Sequence, residues 1–176
     1  MKTVFSFLYQ WLIFTPILVI VTIITAVLVM CGCTIGKHKF WGYVPPKYWS
    51  KIVCRAALCR IKVKLNPKVD PDKSYVFVAN HQGAFDIFLT YGYLNQNIKW
   101  VQKAELRKLP FVGKASEIAG HVFVDQTTRK GIVETMRQAK ETLRDGISTV
   151  VFPEGHRTPD GKMAEFKKGA FQTALS

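Results

Sequence analysis

Between Lys2 and Lys37 the chain carries no Asp, Glu, Lys or Arg. The core of that stretch, roughly Val4 to Met30, is apolar, and about 20 such residues suffice to cross a hydrocarbon layer as a helix. A signal peptide has a shorter apolar region followed by a small-residue cleavage site, so residues 1–36 are expected to be a retained membrane anchor. Pro16 interrupts the run. It predicts either a kink or two shorter helices that dip into the membrane without crossing it.

The charges on either side of the apolar run are unequal. Only Lys2 and the amino terminus precede it, whereas from Lys37 to Lys68 every charged side chain is basic and the first acid is Asp70. By the positive-inside tendency the remainder of the chain is expected on the cytosolic face. The same basic cluster is attracted to anionic headgroups. Residues 37–59 form a basic segment in which Pro45-Pro46 opens a helix predicted over Tyr48 to about Leu58. Trp49, Ile52, Val53 and Ala56 fall on one stripe, Lys51 and Arg55 on another side. This pattern fits a helix lying on the membrane surface and equally an amphipathic helix packed on the domain. Over all 176 residues the net charge is +13. Such an excess calls for an anionic partner: nucleic acid, anionic lipid or a phosphorylated substrate. The four cysteines, Cys31, Cys33, Cys54 and Cys59, form no C-x-x-C pair and read as small packing residues.

From Arg60 onward short apolar runs alternate with helical stretches. Ile61, Val63 and Leu65 alternate with lysines, predicting a half-exposed strand. Tyr75–Ala79, Ile98–Val101, Val122–Val124 and Ile147–Phe152 read as further strands, the first and last as buried ones. Helices are predicted over Phe85 to about Leu94, over Lys130–Arg144 and from Phe166 to Leu175. In the second, Ile132, Met136, Ala139 and Leu143 recur at helical spacing and Asp145-Gly146 ends the element. Strands alternating with helices predict an α/β domain over residues 60–176 with a mixed, mostly parallel sheet flanked by helices.

In such folds ligands gather at the carboxyl ends of the strands, and three polar clusters fall there. The first is Asn80-His81, followed by Gly83 and Asp86. Residues five apart do not share a helix face. The pair can meet only if His81 lies in the turn after the strand and Asp86 in the first turn of the helix. Asp86 would then orient the imidazole while the other ring nitrogen takes a proton. Spacing alone favours the plainer reading, a capping Asp beside an unrelated His. The second cluster is Lys103 after a short strand, a point charge suited to a phosphate or simply a solvated lysine. The third is Pro153-Glu154-Gly155-His156-Arg157 after a buried strand. Gly155 lets a ligand approach the backbone and Arg157 offers a planar fork for phosphate oxygens. Glu154 can hold Arg157 or Lys103, or bond a substrate hydroxyl. A surface turn with a local ion pair is the alternative. The chain has no Gly-rich dinucleotide or P-loop pattern, no G-x-S-x-G elbow and no helical metal-ligand spacing among its histidines, so no metal is expected.

Taken together, the clusters resemble the glycerolipid acyltransferases, the lysophosphatidate acyltransferases related to PlsC. Asn80, His81 and Asp86 match that family's N-H-x-x-x-x-D. Lys103, Glu105, Leu106, Pro110 and Gly113 match its K-x-E-L and P-x-x-G segment. Gly120, Phe123, Val124 and Asp125 match a second block, with Gln126 where the family carries Arg. Phe152, Pro153, Glu154, Gly155 and Arg157 match F-P-E-G-T-R, with His156 in place of Thr. The family's later apolar block has no counterpart before Ser176, so the domain is expected to be truncated relative to the pattern.

The resemblance implies transfer of a fatty acyl group from acyl-CoA or acyl-carrier protein to the free hydroxyl of 1-acyl-glycerol 3-phosphate, giving phosphatidate. It implies His81 as general base and Asp86 as its orienting partner. Asn80, Lys103, Glu154, Gly155 and Arg157 are then substrate-binding, membrane lipids are partners and nucleic acid is not. No cofactor beyond the thioester co-substrate is expected. No Ser or Cys nucleophile adjoins His81, which fits direct transfer. Other acceptors, such as a different lysolipid or glycerol 3-phosphate, and a catalytically dead membrane-surface binding protein are the alternatives.

Overall fold

The computed structural model describes residues 2–70, 72–124, 128–155 and 165–166. The apolar N-terminus is one continuous helical run: α1 (Lys2–Tyr9), a π-helical turn (Gln10–Phe14) and α2 (Thr15–Ile35). Pro16, at the start of α2, lacks the amide a helix interior needs. The π turn sits immediately ahead of it, and π turns commonly absorb such an irregularity. The chain therefore does not break into two separate helices. Val4–Ile35 is long and apolar enough to cross a membrane, and Val4, Phe5, Leu12 and Ile20 are exposed.

The far end of this helix is covered. Ala26, Val29 and Cys33 pack with Ala115 of α6 (Val112–Ile118) and with Ala119, the residue that caps it, small residues that let two helices approach closely. Gly32 is seated against the Trp41 ring, where a Cβ would lie 2.1 Å from Cδ2. Trp41 belongs to the short helix α3 (His38–Trp41). α4 (Val44–Ala56) turns back along α2. The Trp49 indole N–H donates to Thr22 Oγ1 (2.9 Å) and the Tyr9 hydroxyl donates to the Ala56 carbonyl (2.8 Å).

α4 buries Pro46, Ser50, Val53 and Cys54, a face rotated from the stripe expected from its apolar residues, and Ile52 is exposed. The rotation follows from close packing on α5 (Phe85–Tyr93). Gly92 and Ser50 meet there with no room to spare, 3.3 Å between a Cβ built on Gly92 and that of Ser50. Two small residues at one crossing decide which face of α4 turns inward.

The sheet has β1 (Val76–Val78), β2 (Ile98–Lys103), β3 (Val122–Val124) and β4 (Ser148–Val151) in the order β1-β4-β2-β3. All these pairings are parallel, so among the described residues the sheet is purely parallel rather than mixed. α5 links β1 to β2. A 3-10 helix (Ala104–Lys108) and α6 link β2 to β3, and α7 (Arg129–Arg144) links β3 back to β4. Right-handed crossovers put α5 and α6 on one face and, because the last connection reverses direction, α7 on the other. The core on the α5 side joins Tyr91, Ile98, Trp100 and Val150 with Phe77, Ile87, Leu94 and Phe152. On α7, Ala139 is buried as its spacing predicts.

The strand expected at Ile61–Leu65 does not form. These residues join no ladder, and Val63 and Leu65 are exposed. Alternation marks a chain that can lie half-buried on a sheet, but a strand also needs a neighbour to bond. The helix predicted from Phe166 to Leu175 lies outside the described residues apart from Phe166.

Candidate active site

Because every strand runs the same way, their carboxyl ends share one edge. β1 and β4 are neighbours, so the loop carrying Asn80-His81 lies beside the turn Pro153-Glu154-Gly155. β2, ending at Lys103, is the next strand along.

The chain leaves β1 into a loop and begins α5 at Phe85, which puts Asp86 in the first helical turn. Its carboxylate folds back over the loop. Asp86 Oδ2 lies 3.0 Å from His81 Nδ1 and accepts the backbone N–H groups of Gln82 (2.7 Å) and Gly83 (2.8 Å). A carboxylate accepts and does not donate. Nδ1 is therefore the donor in this contact, and Nε2 is the ring's other nitrogen. Three donors on one oxygen fix both the carboxylate and the turn that presents the histidine.

The imidazole plane is set a second way. Its ring stacks on Phe152 at 4.1 Å between centroids and 11° between planes, and Phe152 in turn stacks on Trp100 at 5.4 Å. Phe152 and Asp86 thus hold the ring from its face and from its edge.

Glu154 is 2% exposed, and its Oε1 accepts the backbone N–H of His81 (3.1 Å). A buried carboxylate is costly unless hydrogen-bonded, and this bond ties the loop after β1 to the turn after β4. Gly155 has φ +74, a left-handed conformation that favours glycine. Its N–H closes the turn onto the Phe152 carbonyl (3.0 Å).

A sequence profile of the Acyltransferase family matches residues 60–176. The chain belongs to the acyltransferase family. It is 38% identical over 104 residues to a 1-acyl-sn-glycerol-3-phosphate acyltransferase of Chlamydomonas reinhardtii, a match covering 59% of this chain and 31% of that protein. It is 35% identical over 139 residues to a chloroplastic 1-acyl-sn-glycerol-3-phosphate acyltransferase of Arabidopsis thaliana, covering 78% of this chain and 38% of that one. The chain thus spans between about a third and two fifths of the length of these curated relatives. Among solved structures, the crystal structure of PlsC, the 1-acyl-sn-glycerophosphate (LPA) acyltransferase of Thermotoga maritima, matches with a TM-score of 0.80 at 27% identity. That match covers 99% of this chain and 71% of the other.

Within this acyltransferase chain the geometry joins His81, Asp86 and Glu154 directly, with Gly155 in the adjoining turn. Asn80, next to His81, and Lys103, at the end of β2, are exposed on the same edge. Arg157, His156, Asp125 and Gln126 lie outside the described residues. Two parts of the site were not foreseen from the residues. Phe152 is the platform under His81, and Glu154 binds His81 itself rather than only a cation or a substrate. Only its place directly after a buried strand marked Glu154 as unusual. Gly113 has a plain structural reason to match the family motif, since a Cβ there would stand 2.1 Å from the Arg107 carbonyl oxygen.

Proposed function

We propose that this chain carries the catalytic region of a membrane-associated acyltransferase. It moves a fatty acyl group from a thioester, acyl-CoA or acyl-carrier protein, to the free hydroxyl of 1-acyl-glycerol 3-phosphate, forming phosphatidate. The observation that carries the reading is the His81–Asp86 pair, oriented by Nδ1 and set beside Glu154 in an acyltransferase-family domain. The relatives, named for 1-acyl-sn-glycerol-3-phosphate, supply the acceptor.

His81 Nε2 takes the proton of the acceptor hydroxyl as its oxygen attacks the thioester carbonyl. The C–O bond forms, the C–S bond breaks, and the imidazolium returns the proton to the departing thiolate. Asp86 and the Phe152 face hold the ring between these steps. Asn80, Lys103, Gly155 and Arg157 are assigned to the acceptor and its phosphate. Residues 1–36 act as the anchor, 37–59 as the basic segment beside it and 60–176 as the acyltransferase domain. The basic residues after the apolar run favour a cytosolic location for that domain.

The test is an acceptor panel of lysophosphatidate, glycerol 3-phosphate and a second lysophospholipid, each with one acyl-CoA and one acyl-carrier protein. Phosphatidate formed in preference from lysophosphatidate supports the reading. Acylation of another acceptor with lysophosphatidate left untouched by both donors overturns it.

A further inference from the structure

We propose that the segment from Lys103 to Lys114 is a second docking surface for an anionic lipid bilayer, separate from the N-terminal helix and beside the mouth of the site. The segment leaves β2 as the 3-10 helix Ala104–Lys108 and re-enters regular structure at α6. It exposes three large apolar side chains: Leu106 at 37%, Leu109 at 46% and Phe111 at 51%. Exposed Lys103, Lys108 and Lys114 flank them in the chain, with Arg107 over the Phe123 ring (4.5 Å), against Glu105 and Glu117, the latter already paired with Lys114 (3.0 Å). Apolar side chains flanked by a basic excess match an anionic membrane interface.

The backbone at the tip holds the aromatic outward. Phe111 has φ +59 and ψ −51, and the Val112 N–H donates to the Pro110 carbonyl across 2.6 Å. That is a γ-turn of the rare, strained hand. Strain in a bulky exposed residue is retained where the surroundings over-determine it, typically at ligand clamps and switch regions. No aromatic partner stabilises Phe111 among the described residues.

The direction of α6 identifies the partner as a bilayer. Ala119, at its carboxyl end, has its carbonyl 3.3 Å from a Cβ built on Gly42, next to the Trp41 that seats Gly32. This places Ala119 at the Cys33 end of α2. Ala115, about 6 Å back along α6, shares the cluster with Ala26 and Val29. Phe111, a further turn back, then lies on the side of the N-terminal part of α2, where Ile23, Ile24, Ile20 and Val19 are exposed. The basic, apolar tip and the bare apolar helix therefore extend the same way, on the side to which the strands direct Lys103. An acidic carrier protein would use the same cations but not the exposed apolar trio, nor its alignment with an apolar helix.

The test replaces Leu109, Phe111 or, as a control on exposed Val133 of α7, that residue with the photo-crosslinker benzoylphenylalanine. The full chain is reconstituted in vesicles of phosphatidylcholine with or without phosphatidylglycerol. Equal melting temperatures in detergent show that the variants fold. Lipid-mass adducts at 109 and 111, stronger with phosphatidylglycerol and absent at 133, support the surface. Lys108→Gln should lower the adduct at 111 by up to about fivefold, the factor equivalent to roughly 1 kcal/mol per basic residue at an anionic surface. Adducts at 109 and 111 no stronger than at 133, or crosslinks only to added acyl-carrier protein, overturn it. The readout requires no acyl transfer, so its failure is distinct from failure of the proposed reaction.

Discussion

Glu154 Oε1 accepts the backbone N–H of His81 at 3.1 Å, across 73 positions of sequence. The bond couples two loops that each carry half of the candidate site, and its consequence differs between two substitutions. Glu154→Gln retains an oxygen acceptor. Glu154→Ala leaves a half-buried amide without this partner, a loss of about 1–3 kcal/mol. Thermal melts in detergent should rank the native chain and Glu154→Gln together and Glu154→Ala below them. A melting temperature for Glu154→Ala equal to the native value contradicts the coupling.

Phe152 is the surface on which the imidazole lies. Phe152→Leu keeps the site apolar but removes the ring face. We expect a stability loss of roughly 1–2 kcal/mol from the lost volume, and a fall in kcat larger than any change in acceptor KM. A pure KM effect would assign Phe152 to binding instead.

Gly113→Ala should destabilise the chain by about 1–3 kcal/mol. Its Cβ would collide with a backbone carbonyl, Arg107 O at 2.1 Å, which no rotamer change can relieve. Equilibrium denaturation measures the difference, and an unchanged midpoint is inconsistent with the close approach.

Acid stability should depend on His121. Its Nδ1 accepts the Trp100 N–H (3.1 Å) and its Nε2 lies 3.3 Å from the Tyr91 hydroxyl. Burial first, and then the nearby Lys99 charge, push its pKa down to about 3. The unfolded chain takes up a proton below the ordinary value of about 6.5 that the folded chain refuses. Stability therefore falls as pH drops from about 6.5 toward 3, by roughly 1.4 kcal/mol per pH unit. His121→Asn keeps an acceptor for Trp100 and does not titrate, so its stability should vary less between about pH 4 and 6. Parallel pH profiles for the two proteins would exclude His121 as the source.

Much of this fold was legible because parallel strands read as apolar runs, although β1, expected to be buried, ends the described sheet half-buried with Val78 exposed. Tyr75–Ala79 and Ile147–Phe152 bracket the observed β1 and β4, and Val122–Val124 coincides with β3. The failures have physical causes. Ile61–Leu65 carries the right alternation, but alternation does not supply a pairing partner. α6 was not foreseen, because Val112–Ile118 is short and Gly113 and Lys114 interrupt its apolar period. At the site, five-residue spacing could not separate a dyad from a cap. The structure shows no side-chain cap on α5; one oxygen of Asp86 meets His81 and accepts two loop amides. The Glu154 contact is set by the strand order β1-β4, which no local pattern encodes.

The most direct test is acyl transfer to lysophosphatidate by the full chain in proteoliposomes, comparing the native sequence with His81→Ala and Asp86→Asn. Asp86→Asn keeps an oxygen for the loop amides but removes the carboxylate charge beside His81. Loss of measurable transfer in His81→Ala and a fall of roughly 10²–10⁴-fold in kcat for Asp86→Asn are expected, with melting temperatures close to native. Undiminished phosphatidate formation by His81→Ala would contradict the assignment of His81 as the base.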